Sequence, residues 1–236
     1  MSSPASKLAL VGYGRMGRLV EELALAHGFE VALRLDEFNN QAAAGITREN
    51  FDGVDVAIDF SIPDAVADNA VRIAELGVPL AIGTTGWLDQ LDRVRAVVER
   101  HGGAVVYGAN FSIGVNAFYR VVGAAARAFA AQGDYDAFLY EAHHKYKQDA
   151  PSGTALRLLD VVQEAGYARS VDVATQRSGQ FPGIHEIGFD SAADTIRVSH
   201  AARNREGFAS GSLKAARWIM GQRGVYEFSQ VWDRLD

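Results

Sequence analysis

The 236-residue sequence contains no cysteine. That absence removes disulfide scaffolds, Cys-ligated zinc or iron–sulfur centres and thiol nucleophiles, and it suits a reducing compartment. Positive charge is scarce too: 23 Lys and Arg stand against 29 Asp and Glu, a formal net charge of −6. Nonspecific nucleic-acid binding and anionic-membrane binding both rely on clustered positive charge, so neither is expected. No stretch approaches the ~18 uninterrupted apolar residues of a membrane span, and residues 1–7 lack a charged segment leading into an apolar run. The expectation is a soluble, cytoplasmic protein. Repeats, low-complexity tracts and long linkers are also missing. What remains is 48% hydrophobic and 22% charged, a globular mixture that weighs against disorder and coiled coils.

Short apolar runs at 8–11, 31–35, 54–60, 80–82 and 104–107 alternate with segments of helical periodicity. Such alternation predicts a Rossmann-like, doubly wound parallel sheet covered on both faces. After Asn110 the character changes. A long Ala-rich helix is expected over about 112–131, then a strand at 136–141 and two strands of period-two alternation at 184–189 and 195–200. A last helix is expected at about 212–220. The simplest architecture is a dinucleotide-binding domain of residues 1–111 plus 212–236. It is interrupted by a smaller α+β domain at 112–211.

Gly12-Tyr13-Gly14-Arg15-Met16-Gly17 fits G-x-G-x-x-G, follows a strand and opens a helix. The first glycine makes the turn, the second lets a phosphate approach the backbone, and the third lets helix and strand pack closely. Free amides at the helix start would hold a pyrophosphate. Asp36, 24 residues after Gly12, suits an acid accepting from a ribose hydroxyl. With Glu37 it puts two negative charges where a 2′-phosphate would sit, offset only by Arg34, so NADH is expected over NADPH. Gly83-Thr84-Thr85-Gly86 admits two readings: a pair of hydroxyls for the nicotinamide ribose and carboxamide, or a glycine-rich turn capping the next helix.

The densest chemistry lies in Glu141-Ala142-His143-His144-Lys145-Tyr146-Lys147-Gln148-Asp149-Ala150-Pro151-Ser152-Gly153-Thr154. It begins at a strand end and finishes at a helix start, with Pro151, Ser152 and Gly153 as start signals. The amides near Gly153 and Thr154, with the Thr154 hydroxyl, form an anion site beside two His and two Lys. A carboxylate-bearing guest fits; a solvated loop is the plainer alternative. A metal site is not expected, because adjacent His side chains on an extended chain point to opposite faces and their companions are Lys.

These residues closely resemble the signature of the 4-hydroxy-tetrahydrodipicolinate reductase (dihydrodipicolinate reductase) family. The resemblance extends through Asp59-Phe60-Ser61, Gly83-Thr84-Thr85-Gly86, Ala109-Asn110-Phe111-Ser112, Pro182-Gly183-Ile184-His185 and Arg205-Glu206-Gly207-Phe208-Ala209. It implies hydride transfer from NADH or NADPH to a small cyclic dicarboxylate on the route to diaminopimelate and lysine. His143 would be the general acid and Lys147 its assistant and a substrate anchor. His144, Gly153 and Thr154 would contact the substrate. Gly12, Tyr13, Gly14, Arg15, Met16, Asp36, Gly83, Thr84, Thr85, Gly108, Ala109, Asn110 and Phe111 would line the cofactor site. The resemblance also implies that the 112–211 domain binds substrate and joins a homotetramer. From the two-domain arrangement itself, closure about hinges near 111–112 and 205–211 is expected to bring the Lys147 segment over the nicotinamide.

Overall fold

The computed structural model describes residues 4–235; Met1, Ser2, Ser3 and Asp236, and with them part of the 1–7 segment weighed above, lie outside the described residues. The chain divides into two compact units, residues 1–113 with 206–236 and residues 114–205.

The first unit is built on six strands in the order β10-β5-β4-β3-β1-β2, every neighbouring pair parallel. They are β1 (Ser6–Val11), β2 (Phe29–Leu35), β3 (Val56–Asp59), β4 (Leu80–Ile82), β5 (Ala104–Tyr107) and β10 (Gly224–Glu227). Alternating residues of β1 serve opposite layers. Ala9 and Val11 join the core under α2 (Pro63–Glu75) and α3 (Leu91–Arg100). Leu8 and Leu10 join the core under α1 (Arg15–Ala24) and α6 (Glu206–Ile219). Helices on both faces explain why β3 and β4 are buried along their whole length. β10 was not anticipated from the sequence, and α6 starts six residues before the expected 212. Because α6 packs against α1, β3, β4 and β5, the return into this unit falls at 205/206 instead of 211/212.

The second unit carries a four-stranded sheet, β7-β6-β8-β9. β6 (Asp136–His143) pairs parallel with β7 (Val171–Arg177) and antiparallel with β8 (Ile184–Asp190), which pairs antiparallel with β9 (Thr195–Ala201). One face is covered by α4 (Ile113–Phe129) and α5 (Gly153–Glu164), with Phe118, Val122, Leu158 and Val162 packed on Leu139, Ile187 and Phe189. The opposite face presents Phe138 and Tyr140 of β6, half-buried, with Asp172, Ala174 and Gln176 of β7 and Arg197 of β9 exposed around them; Val173 and Ile196, also exposed, lie on the edge strands of the helix-covered face.

Candidate active site

In the first unit, the expected cofactor residues gather at the carboxyl edge of the parallel sheet. Gly12 follows β1, Asp36 follows β2, Gly83 follows β4 and Gly108 follows β5. The strand order reverses at β1, where successive strands depart to opposite sides, and open α/β sheets bind ligands outside such a point. Gly12 has φ of +88°, and a Cβ there would lie 2.4 Å from the Phe60 carbonyl. A Cβ on Gly17 would lie 2.4 Å from the Gly12 oxygen, so the third glycine is needed for packing. Around Gly14 a Cβ would meet nothing within 4 Å, and no side chain caps α1. Open space before uncapped amides fits a phosphate group.

Tyr13 donates its hydroxyl to Glu21, and Arg34 is bound to the same carboxylate. Arg34, the cation that could have offset Asp36 and Glu37, is thus already paired. Asp36 Oδ1 accepts from the amides of Phe38 at 2.9 Å and Asn39 at 3.3 Å. Arg15 is exposed and Met16 half-buried at the start of α1. Thr84 turns its hydroxyl inward, donating to Asp59 Oδ1 and Ser61 O at 3.3 Å each. Asp59 is fully buried; burial pushes its carboxyl up, against hydrogen bonds from Ser61, Asn69 and Thr84. Thr85 is the exposed hydroxyl of the pair. A Cβ on Gly83 would overlap the Phe60 ring, and one on Gly108 would crowd Phe228. Ala109 is exposed, and Asn110 Oδ1 accepts from the Ser112 amide at 2.9 Å. The Phe111 ring is buried 4.6 Å from Phe228, so only its backbone is available to a ligand.

In the second unit, sheet register assembles a polar cluster at the end of the apolar face. Glu141 and His143, two apart on β6, point to the same side. Arg177 of β7 lies opposite His143, and His185 of β8 opposite Glu141. Glu141 is fully buried and accepts from Arg177 Nη2 at 2.7 Å and from the Ser152 amide at 3.1 Å. Burial pushes its carboxyl up, but hydrogen bonds from Ser152 and Arg177 outweigh this and the net shift is downward. His143 is buried, with Nδ1 3.5 Å from Glu141 Oε2 and its ring 5.0 Å from that of His185. Burial lowers the His143 imidazole, while the Glu141 charge raises it. His185 is pushed down to about 4, chiefly by burial, and Ser152 Oγ lies 3.1 Å from its Nε2.

The following loop carries the residues expected to form an anion site. Ser152 caps α5, its hydroxyl accepting from the Ala155 amide at 3.2 Å. Lys147 Nζ binds Asp149 Oδ1 at 2.7 Å, and the Gly153 amide also donates to the Asp149 carboxylate. Lys147 and Gly153, named separately from the sequence, therefore converge on one carboxylate. Thr154 hydrogen-bonds Tyr119 of α4. His144 faces away from His143, as strand alternation requires, its Nδ1 buried without a hydrogen bond and its ring 6.3 Å from that of Tyr146.

Sequence reasoning did not name Glu141, Arg177 or His185 as site residues. The donor atoms of Glu141, His143 and His185 lie within 4.8 Å of one another, a spacing a metal ion could use. Glu141 is, however, bound to Arg177, and Lys147 raises the positive charge around His143 further. That charge set resembles an ion-pair cluster more than a cation cage.

Family models for the dihydrodipicolinate reductase N-terminus and C-terminus match residues 6–111 and 114–232. The chain belongs to the dihydrodipicolinate reductase family. Among its relatives, a 4-hydroxy-tetrahydrodipicolinate reductase of Christiangramia forsetii is 32% identical, over 97% of this chain and 98% of that one. One of Methanoculleus marisnigri is 36% identical, over 89% and 91%. In fold, the chain is similar to a dipicolinate-bound dihydrodipicolinate reductase from Paenisporosarcina sp. TG-14. The TM-score is 0.81 at 20% identity, covering 96% of this chain and 99% of that one. The six-stranded parallel sheet with its separate mixed sheet is the architecture of this family.

Proposed function

We propose that the chain reduces 4-hydroxy-tetrahydrodipicolinate (dihydrodipicolinate) to tetrahydrodipicolinate with NADH, or less efficiently NADPH, serving diaminopimelate and lysine synthesis in the cytoplasm. The observation that carries this reading is the carboxylate-holding pair of Lys147 and Gly153 beside a buried imidazole, in a member of this family. Asp149 stands where a substrate carboxylate would go, so its side chain marks the anion position and must yield it.

The uncapped amides after Gly14 fit the dinucleotide's pyrophosphate, and Asp36, with Oδ1 spent on its own turn, offers Oδ2 to the ribose. Tyr13, Arg15, Met16, Gly83, Thr85 and the backbone from Gly108 to Phe111 would flank the cofactor, while Thr84 supports the turn from beneath. When bound, the reduced nicotinamide supplies a hydride to one carbon of the unsaturated ring. His143 gives a proton to the neighbouring carbon, so hydride plus proton saturate one double bond of the dihydro ring; with the 4-hydroxy substrate, loss of the hydroxyl as water first forms that double bond. Lys147, Gly153 and Thr154 fix the dicarboxylate, with His144 as a further contact, and the positive field of Lys147 and Arg177 favours proton release. The face carrying Phe138 and Tyr140, on the side of the sheet away from α4 and α5, supports a homotetramer joined through this sheet.

Substituting His143→Gln should lower kcat by about two to four orders of magnitude while leaving NADH affinity unchanged. Lys147→Ala should harm both kcat and KM. Wild-type turnover in His143→Gln would overturn the assignment.

A further inference from the structure

We infer that Glu141 is a positioning residue for His143: its buried carboxylate holds Nδ1–H and thereby presents Nε2 as the atom that delivers the proton. Nδ1 is sealed from solvent and makes no hydrogen bond within ordinary limits, yet Glu141 Oε2 faces it at 3.5 Å. A buried polar nitrogen without a partner is costly, and a contact this long is one that shortens when the ring takes up a proton or the substrate arrives. Glu141 is itself fixed from two sides, by Arg177 Nη2 at 2.7 Å and by the Ser152 amide at the start of α5. The helix that begins the anion site thus also orients the group that orients the acid.

The other end of the ring has been left room. A Cβ on Gly183 would lie 3.2 Å from His143 Nε2, where the glycine has only hydrogen. Nε2 therefore sits at the clear side of the imidazole and Nδ1 at the clamped side.

Charge makes the same assignment. Around His143 stand Glu141 on its own strand, Lys147 and Asp149 in the following loop, Arg177 on β7 and His185 on β8. Burial, Lys147 and Arg177 all disfavour the imidazolium; Glu141 and Asp149 favour it. Because Asp149 must leave Lys147 when a substrate carboxylate binds, Glu141 is the anion that remains to keep a proton on His143 in the working complex. A group meant to donate H⁺ at neutral pH needs that support.

This inference rests on the reading of His143 as the acid, and two readouts separate the two claims. Nitrogen-15 histidine spectra of the wild-type protein, assigned with His143→Gln, should show the neutral His143 ring protonated on Nδ1; protonation on Nε2 would overturn the inference whatever the kinetics. In steady-state assays Glu141→Gln should lose about tenfold or more of kcat/KM at pH 8 and much less at pH 6, since a less supported acid is deprotonated earlier. Glu141→Asp, which keeps the charge, should restore the wild-type pH profile at reduced kcat. A Glu141→Gln profile parallel to wild type at every pH would leave Glu141 a merely structural residue. Should Glu141→Gln fail to fold with Arg177 unpaired, the wild-type spectra still decide.

Discussion

At the scale of single residues, the second unit gathers a buried carboxylate, a guanidinium and two imidazoles around one strand end, and each modifies its neighbours. His185 is the clearest case, with a value of about 4 against the usual 6.5, caused first by burial and then by the nearby His143. Between those two values the unfolded chain takes up a proton that the folded chain refuses. Stability that is complete above pH 6.5 is therefore lost as pH falls, by up to about 3 kcal/mol near pH 4. The thermal midpoint should drop between pH 6.5 and 5, above the range where most carboxylates titrate, and His185→Gln should remove much of that drop. A midpoint flat over this window in the wild type would contradict the buried, neutral His185. The sequence made His143, Lys147 and Gly153 legible because a single segment carries them. Arg177 carried no mark there, and His185 stood only within the Pro182-Gly183-Ile184-His185 match without a role, because both reach Glu141 only through the register of β7 and β8 against β6. Cross-strand register has no local signature.

At the scale of elements, the β1–α1 turn divides its glycines by purpose, and substitution should separate them. Gly14 has open space around a would-be Cβ, so Gly14→Ala should keep the wild-type midpoint while weakening NADH binding about tenfold or more, because the methyl stands where the phosphate approaches. Gly17→Ala should instead lose stability, its Cβ colliding with the Gly12 carbonyl. Calorimetric titration with NADH and a thermal melt measure both, and unchanged NADH affinity in Gly14→Ala would remove the pyrophosphate from this turn. The five earlier strands of the parallel sheet were readable as apolar runs. β10, four residues at the sheet edge and none fully buried, was not. β7 escaped because its sequence alternates only over Val171-Asp172-Val173 before turning polar at Thr175-Gln176-Arg177, too short a pattern to mark a strand.

At the scale of the whole molecule, cofactor choice depends on a balance of charge that no single residue sets. Arg34 is bound by Glu21, so if Asp36 and Glu37 flank the ribose as proposed, their charge is not offset by Arg34 and kcat/KM should favour NADH. Comparable efficiency with NADPH would show that another cation serves the 2′-phosphate. A second balance concerns the face of the mixed sheet away from its helices, where Tyr140→Asp with Ala174→Asp should reduce the mass seen by light scattering if that face joins subunits. The most direct test of the central claim is catalytic. The purified chain is mixed with dihydrodipicolinate synthase, pyruvate, aspartate semialdehyde and NADH, and absorbance at the NADH band is followed. The account predicts oxidation of NADH that requires every component and collapses with His143→Gln. Oxidation that continues without the synthase, or none with the complete mixture, would contradict it.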